Sequence, residues 1–440
     1  MARPVIAIFD IGKTNKKFFL FDEELNEISE EYIKFPTIED EDGDECDDLE
    51  KIASWAKEKV RLLCDNPDYE LKALNFSTYG ASFVSIGVDG KPVTPIYNYL
   101  KEFPTDLHEA FYNAYPEEEI NRVTASPTLG MLNSGLQLYW LKRKRPAVFD
   151  RVQYSLHLPQ YISYLFTGEA VAEPTSIGCH TKMWDFPKKD YHRWVYDEGI
   201  SKKLPTIVPT THYFTKKICG KSVKVGVGIH DSSSALAAYL IKTEEPFALI
   251  STGTWSITLN PYPTGDLTFE ELQSDCLNFL SIHGTTVKAS RFFLGYELDY
   301  QVEKLNALFK KPSKYYKDVP CDERMLQDIV FEEIPATFYP ETMALTPLVR
   351  EVFGDNQWNP SEYQTFEQAY HQVMWGLVRM QVASLKLALG SSDIRKVYID
   401  GGFVNNKLFI RMLKELLPFY DLQFSDFPLG SAYGAALMLK

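Results

Sequence analysis

Two stretches lying half a chain apart share one shape, and that repeat restricts the fold more than any other feature. "AIFDIGKTNKKFFLF", residues 7–21, is an apolar strand, a glycine-centred polar tip and a returning apolar strand. "ALISTGTWSITLN", residues 248–260, has the same plan with Gly253 at its tip. Hairpins in these positions are expected if two similar domains each begin with one, and 440 residues leave room for two domains of roughly 200 residues.

Between and after the hairpins, strand and helix patterns alternate, which predicts an α/β protein. Asp47 or Asp48 caps a helix running to Asn66, with Leu49, Ile52, Ala56, Val60 and Leu63 on one face. "LKALNFSTYGASFVSIGVDGKPVTPIYNY" reads as two or three strands with "VDGK" as a turn, and residues 130–166 read as largely helical. "KSVKVGVGIHDSSSALAAYL" is strand, turn and helix, and 366–389 is a long helix. "KVYIDGGFVNNKLFIRMLKELL" is strand, Gly-rich turn and helix, and "GSAYGAALMLK" is a helix of small residues able to pack closely. The acid-rich "TIEDEDGDECDDLE" has its glycine out of register with a calcium loop and reads as solvated.

A net charge of -14 argues against nucleic acid or an anionic membrane as partner. Six cysteines without a C-x-x-C pair read as reduced, packed thiols, so neither zinc nor a disulfide framework is expected. No apolar run approaches the ~18 residues of a membrane helix, and the N-terminus enters a strand at once, so the cytoplasm is the expected compartment.

Four constellations carry chemistry. At the first tip, Gly12, Thr14 and Asn15 can aim donors at a phosphate, a lysine adds charge, and Asp10 can hold magnesium through water. The second tip, Ser251 to Thr254, offers only backbone and hydroxyl donors. Asp231 in "IHDSSSA" stands at a helix start, where it is either an N-cap or a base for a substrate hydroxyl. "IDGGFVNN" lets a nucleotide approach the backbone.

In order and spacing these motifs resemble the FGGY family of carbohydrate kinases, within the actin, sugar kinase and Hsp70 ATPase fold, and rhamnulokinases most of all. "STYGASFVSIGVDGKPV", "LPQYISYLFTGE", "HDSSSA", "STGTWS", "DGGFVNN" and "GAAL" carry the likeness over most of the chain. The resemblance implies two ribonuclease-H-like (actin-like ATPase) domains flanking a central cleft. Residues 1–243 would form the sugar-binding side with the catalytic Asp, and 244–440 the ATP-binding side. It implies Asp10, Gly12, Thr14 and Lys17 as the first phosphate motif and Thr252, Gly253 and Thr254 as the second. Gly401, Gly402 and Asn405 would be the adenosine motif and Asp231 the catalytic base. Gly80, Ser82 and His230, with Asp231, would contact the sugar, and Asp10 and Asp231 would orient Mg2+ through water.

The implied activity is transfer of the ATP γ-phosphate to a hydroxyl of a small sugar, a ketose such as L-rhamnulose, L-fuculose or xylulose. The alternatives are a catalytically impaired sugar-binding regulator and an actin- or Hsp70-like ATPase. A homodimer is left open as the assembly. One departure bears on substrate: the family's aromatic-x-acid-x-Arg motif is replaced by "PIYNYLKEF", where Tyr97, Asn98 and Tyr99 remain.

Overall fold

A computed structural model describes residues 2–330, 335–424 and 430–440. By contact density the chain divides into two units, Met1–Glu244 with Asn278–Thr286 and Leu429–Lys440, and Glu245–Leu277 with Val287–Pro428.

The first unit is built on a seven-stranded sheet. β1 (Arg3–Ile11) and β2 (Lys16–Phe21) form the expected hairpin, with Asp10 opposite Lys17 and Ile11 opposite Lys16. β3 (Glu27–Ile33) adds antiparallel to β2, while β4 (Tyr69–Thr78) runs parallel to β1. β5 (Tyr213–Ile218) and β6 (Lys221–Gly226) complete the order β5-β6-β4-β1-β2-β3, and β7 (Ile229–His230) also pairs with β4.

Strand alternation sends successive side chains of the hairpin to opposite faces, and both faces are covered. Val5, Ala7, Phe9, Phe18 and Leu20 pack with α1 (Leu49–Asp65), whose buried stripe is Leu49, Ile52, Ala53, Ala56, Val60 and Leu63. Ile6, Ile8, Phe19 and Phe21 pack with α2 (Asp231–Lys242) and the small-residue helix Gly430–Leu437. Asp48, not Asp47, caps α1, accepting the Lys51 N–H at 3.0 Å.

The second unit repeats the plan. β8 (Phe247–Thr252) and β9 (Ser256–Asn260) form its hairpin, with Thr252 opposite Ser256. With β10 (Cys276–Leu280), whose residues 278–280 group with the first unit, β11 (Thr286–Phe292), β12 (Lys396–Gly401) and β13 (Asp421–Phe424), the sheet order is β10-β11-β9-β8-β12-β13. β11 and β8 each run antiparallel to β9, and β8, β12 and β13 are parallel. The first sheet has the same antiparallel trio, β3-β2-β1, followed by parallel β4. The long helix α4 (Phe366–Leu389) packs across this sheet, after α3 (Gly295–Phe309) and before α5 (Lys407–Leu416).

Two expectations need correction. Cys64 and Cys219 are disulfide-bonded, whereas Cys46, Cys179, Cys276 and Cys321 are free. Pairing of β6 with β4 brings the β5–β6 turn to the end of α1, leaving the two Cα atoms 6.2 Å apart across 155 residues, a separation that sequence spacing does not encode. The acid-rich segment is not simply solvated: Ile38–Glu39 and Glu45–Cys46 pair as a minute hairpin. Its Asp40, Asp42 and Asp44 surround the Lys101 ammonium at 2.6, 2.7 and 2.9 Å. Among the described residues, no helix is long and apolar enough to cross a membrane.

Candidate active site

Asp10 ends β1 on the face that packs against α2. Burial and the neighbouring Asp231 carboxylate raise it to about 6, despite a hydrogen bond from the Ser431 hydroxyl to Asp10 Oδ2 at 3.0 Å. Ser431 lies in the last helix, and its carbonyl accepts the Ser234 hydroxyl of α2 at 2.6 Å. Sequence reasoning did not single out this serine. The signal was the small-residue pattern "GSAYGAAL", which permits the close helix contact.

Asp231 begins α2, but His230 holds the cap position, so the N-cap alternative does not describe it. The carboxylate is 35% exposed. Its contacts gather on Oδ1, which accepts the Ser232 N–H at 2.6 Å and lies 3.3 Å from His230 Nε2. Asp10, raised by burial and by the Asp231 charge, and Asp231 itself offer the oxygen ligands that a hard divalent cation prefers.

His230 is buried, with its N–H donated to Thr175 Oγ1 at 3.1 Å and its Nε2 3.5 Å from Cys179 Sγ. Burial alone would depress His230, but the Cys179 and Asp231 charges outweigh it and lift the imidazole. Correspondingly, burial would raise the Cys179 thiol, and His180 and His230 pull it down instead. Gly80 backs directly onto this imidazole: a Cβ there would stand 2.9 Å from the ring. Ser82 is buried close by in sequence, its carbonyl accepting the Leu158 N–H at 3.1 Å. Gly80, Ser82, His230 and Asp231 thus all belong to the first unit.

The first tip is closed by the Gly12 N–H donating to the Asn15 carbonyl at 2.9 Å, and Thr14 is exposed. Lys17 shares a face with Asp10 and pairs with Glu30 at 2.7 Å. The tip's other lysines go to the opposite side. Lys13 and Lys16 reach the two oxygens of Asp47 at 2.7 and 2.9 Å, and the Tyr79 hydroxyl donates to Asp47 Oδ2 at 2.8 Å. Sequence reading weighed Asp47 only as a helix cap. In the "PIYNYLKEF" stretch, Tyr97 donates to Glu41 and Asn98 to the Glu45 carbonyl, while the Tyr99 ring meets the Lys13 ammonium.

In the second unit the β8–β9 tip and the β12 turn form one assembly. The buried Thr252 hydroxyl donates to the Asp400 carbonyl at 2.5 Å and accepts the Phe403 N–H at 3.2 Å. Gly253 and Thr254 are exposed, and their carbonyls accept N–H groups from Gly295 and Tyr296 at the start of α3. Gly401 holds a φ of 85°, and a Cβ on it would lie 1.9 Å from the Thr252 oxygen. Only glycine fits that approach. Gly402 and Asn405 are exposed, while Asn406 caps α5, accepting the Phe409 N–H.

Residues 5–235 match the N-terminal domain of the FGGY family of carbohydrate kinases, and residues 244–440 match the C-terminal domain, carbohydrate kinase FGGY. A rhamnulokinase of Bacteroides thetaiotaomicron is 25% identical over 201 residues, 42% of this chain and 40% of that protein. One of Halalkalibacterium halodurans is 23% identical over 255 residues, 56% of this chain and 52% of that one. The chain therefore spans about half, or less, of the length of the curated relatives it matches. Among solved structures, a carbohydrate kinase from Novosphingobium aromaticivorans superposes with a TM-score of 0.84 at 22% identity, over 100% of this chain and 91% of the other. A xylulose kinase from Lactobacillus acidophilus gives 0.77 at 16%, over 99% and 89%. At these identities the structures establish a shared fold.

Proposed function

The chain belongs to the FGGY family of carbohydrate kinases, and on that footing we propose that it is an ATP-dependent sugar kinase. It transfers the γ-phosphate of Mg-ATP to a hydroxyl of a small sugar, a ketose of the L-rhamnulose, L-fuculose or xylulose type. The observation that carries the reading is Asp231 at the start of α2, part-exposed, beside His230 and within electrostatic reach of Asp10.

In this reading the sugar hydroxyl hydrogen-bonds Asp231, which takes its proton as the oxygen attacks the γ-phosphorus. The bond from that phosphorus to the β-phosphate oxygen breaks, and ADP leaves. Magnesium, when bound, offsets charge on the β- and γ-phosphates; Asp10 and Asp231 are the residues that would hold it through water. His230 fixes Asp231 from one side, and Gly80 and Ser82 supply the sugar-facing backbone. Gly12, Thr14 and Lys17 in the first unit are assigned to phosphate binding, as are Thr252, Gly253 and Thr254 in the second. Gly401, Gly402 and Asn405 take the adenosine, and the cytoplasm is where ATP and a free sugar meet.

The test is ATP consumption across a panel of ketoses and aldoses, with Asp231→Asn in parallel. Removing the base lowers kcat by roughly 10²- to 10⁴-fold, while nucleotide affinity persists. A wild-type chain that binds a sugar without consuming ATP is a regulator. One that hydrolyses ATP at the same rate without any sugar is an ATPase of another kind.

A further inference from the structure

The lysine pair under the first hairpin tip holds more charge than its partner requires. Asp47 is already met by Lys16 at Oδ1 and by the Tyr79 hydroxyl at Oδ2. Lys16 is buried and donates also to the Lys13 carbonyl at 2.8 Å, which links the tip backbone to Asp47. Lys13 adds a second cation to the same carboxylate, 2.7 Å from Oδ2, and keeps 27% of its side chain exposed. Two ammonium groups sharing one carboxylate leave an excess positive charge. An arrangement serving packing alone would avoid that like-charge contact.

The setting of this ammonium is specific. It lies 5.3 Å from the centre of the Tyr79 ring and 5.2 Å from that of Tyr99, whose rings meet edgewise 6.2 Å apart. Tyr79 immediately precedes Gly80, which backs onto His230. Tyr99 stands in the stretch where the acid and arginine are missing, and a β-bridge from Asp47 to Ile96 binds that stretch to the cluster. The Tyr99 phenol is raised by its burial and by the charges of Asp47 and Asp231. Lys17, in contrast, lies on the Asp10 face and pairs with Glu30.

We infer that Lys13 is a specificity-determining residue for the acceptor, donating charge-assisted hydrogen bonds to sugar oxygens from a mount made of Asp47, Tyr79 and Tyr99. The inference rests on the kinase reading and deepens it. An ammonium has three N–H donors and Asp47 accepts one, so the remaining two select an acceptor with adjacent oxygens on the side facing Tyr99. A bare hydrocarbon edge there, as in a deoxy position, is disfavoured.

The experiment compares wild type, Lys13→Met and Lys13→Arg in sugar binding by calorimetry without nucleotide, and in steady-state kinetics varying sugar and ATP separately. Loss of a charged donor weakens sugar binding and raises sugar KM by about 10- to 100-fold. ATP KM stays within about threefold of wild type, and Lys13→Arg recovers part of the sugar affinity. Should Lys13→Met melt early, Lys13→Gln carries the same comparison. A rise in ATP KM with unchanged sugar affinity makes Lys13 a phosphate ligand and overturns the inference, as does a variant unchanged in both. A wild-type chain that binds sugar but does not consume ATP overturns the kinase reading and leaves the binding arm to decide on Lys13. One that binds no sugar overturns both.

Discussion

Gly434→Ala adds one methyl group in the last helix and tests whether the site depends on how closely that helix lies on α2. The new Cβ would stand 1.8 Å from the Ser234 carbonyl oxygen and 2.6 Å from its carbon. Carbon and oxygen in close contact need about 3.3 Å, so the backbones must part by about 1.5 Å. The last helix cannot retreat freely, because Asn75 of β4 donates to the Ala435 carbonyl at 2.8 Å. The displacement therefore falls on α2, three residues from Asp231, and on the contact of Ser234 with Ser431 that places the Asp10 donor. A shift of about 1 Å at reacting groups costs roughly 100-fold in rate. Overpacking costs about 1–3 kcal/mol, and the better helix propensity of alanine returns about 1 kcal/mol. The net is a loss of only a few degrees in Tm. Sugar-dependent ADP release and a thermal melt measure both. Wild-type kcat in a cooperatively melting Gly434→Ala protein would refute the claim that helix contact sets the Asp10–Asp231 geometry.

Two further predictions concern other parts of the molecule. Lys182 is fully buried, donating to Asn121 Oδ1 and the Ser126 carbonyl, and burial lowers it to about 7 from 10.5. Above pH 7 the unfolded chain holds this proton and the folded chain does not, so stability rises with pH up to the unfolded value and is lost as pH falls through 7. Denaturant unfolding at pH 6.5, 7.5 and 8.5 should show a gain of up to about 1.4 kcal/mol per pH unit that Lys182→Met lacks; equal slopes would contradict the assignment. In the second unit, Gly401→Ala meets the Thr252 backbone at 1.9 Å with a left-handed φ, whereas a methyl on Gly402 meets nothing within 4 Å. The first should melt lower and weaken ATP binding by about tenfold or more, and the second should melt as wild type; the same Tm for both would remove the argument for the Gly401 turn.

How much of this was legible in the sequence depends on the range of the interactions. The hairpins, α1 and α4 were readable because strand alternation and the 3.6-residue stripe are local signals, while the α1 cap was narrowed only to Asp47 or Asp48. Duplication was readable because each hairpin repeats a local pattern. Ser431 reaching Asp10 across 421 residues, and Cys64 joining Cys219, depend on which helix or turn lies beside which strand, and no local pattern carries that. The lysines show the boundary most clearly. "KTNKK" announces charge at the tip, but the consequence of each lysine depends on strand parity. Lys17, opposite Asp10, falls on the α2 face, and Lys16, opposite Ile11, falls on the α1 face beside Asp47. Lys13, in the turn, is free of that alternation and follows Lys16, through whose ammonium its carbonyl is held. Asp48 takes the helix cap, and the neighbouring Asp47 carboxylate meets the lysines. Which carboxylate meets the lysine beside Tyr99 is thus settled by the turn and the strand register together.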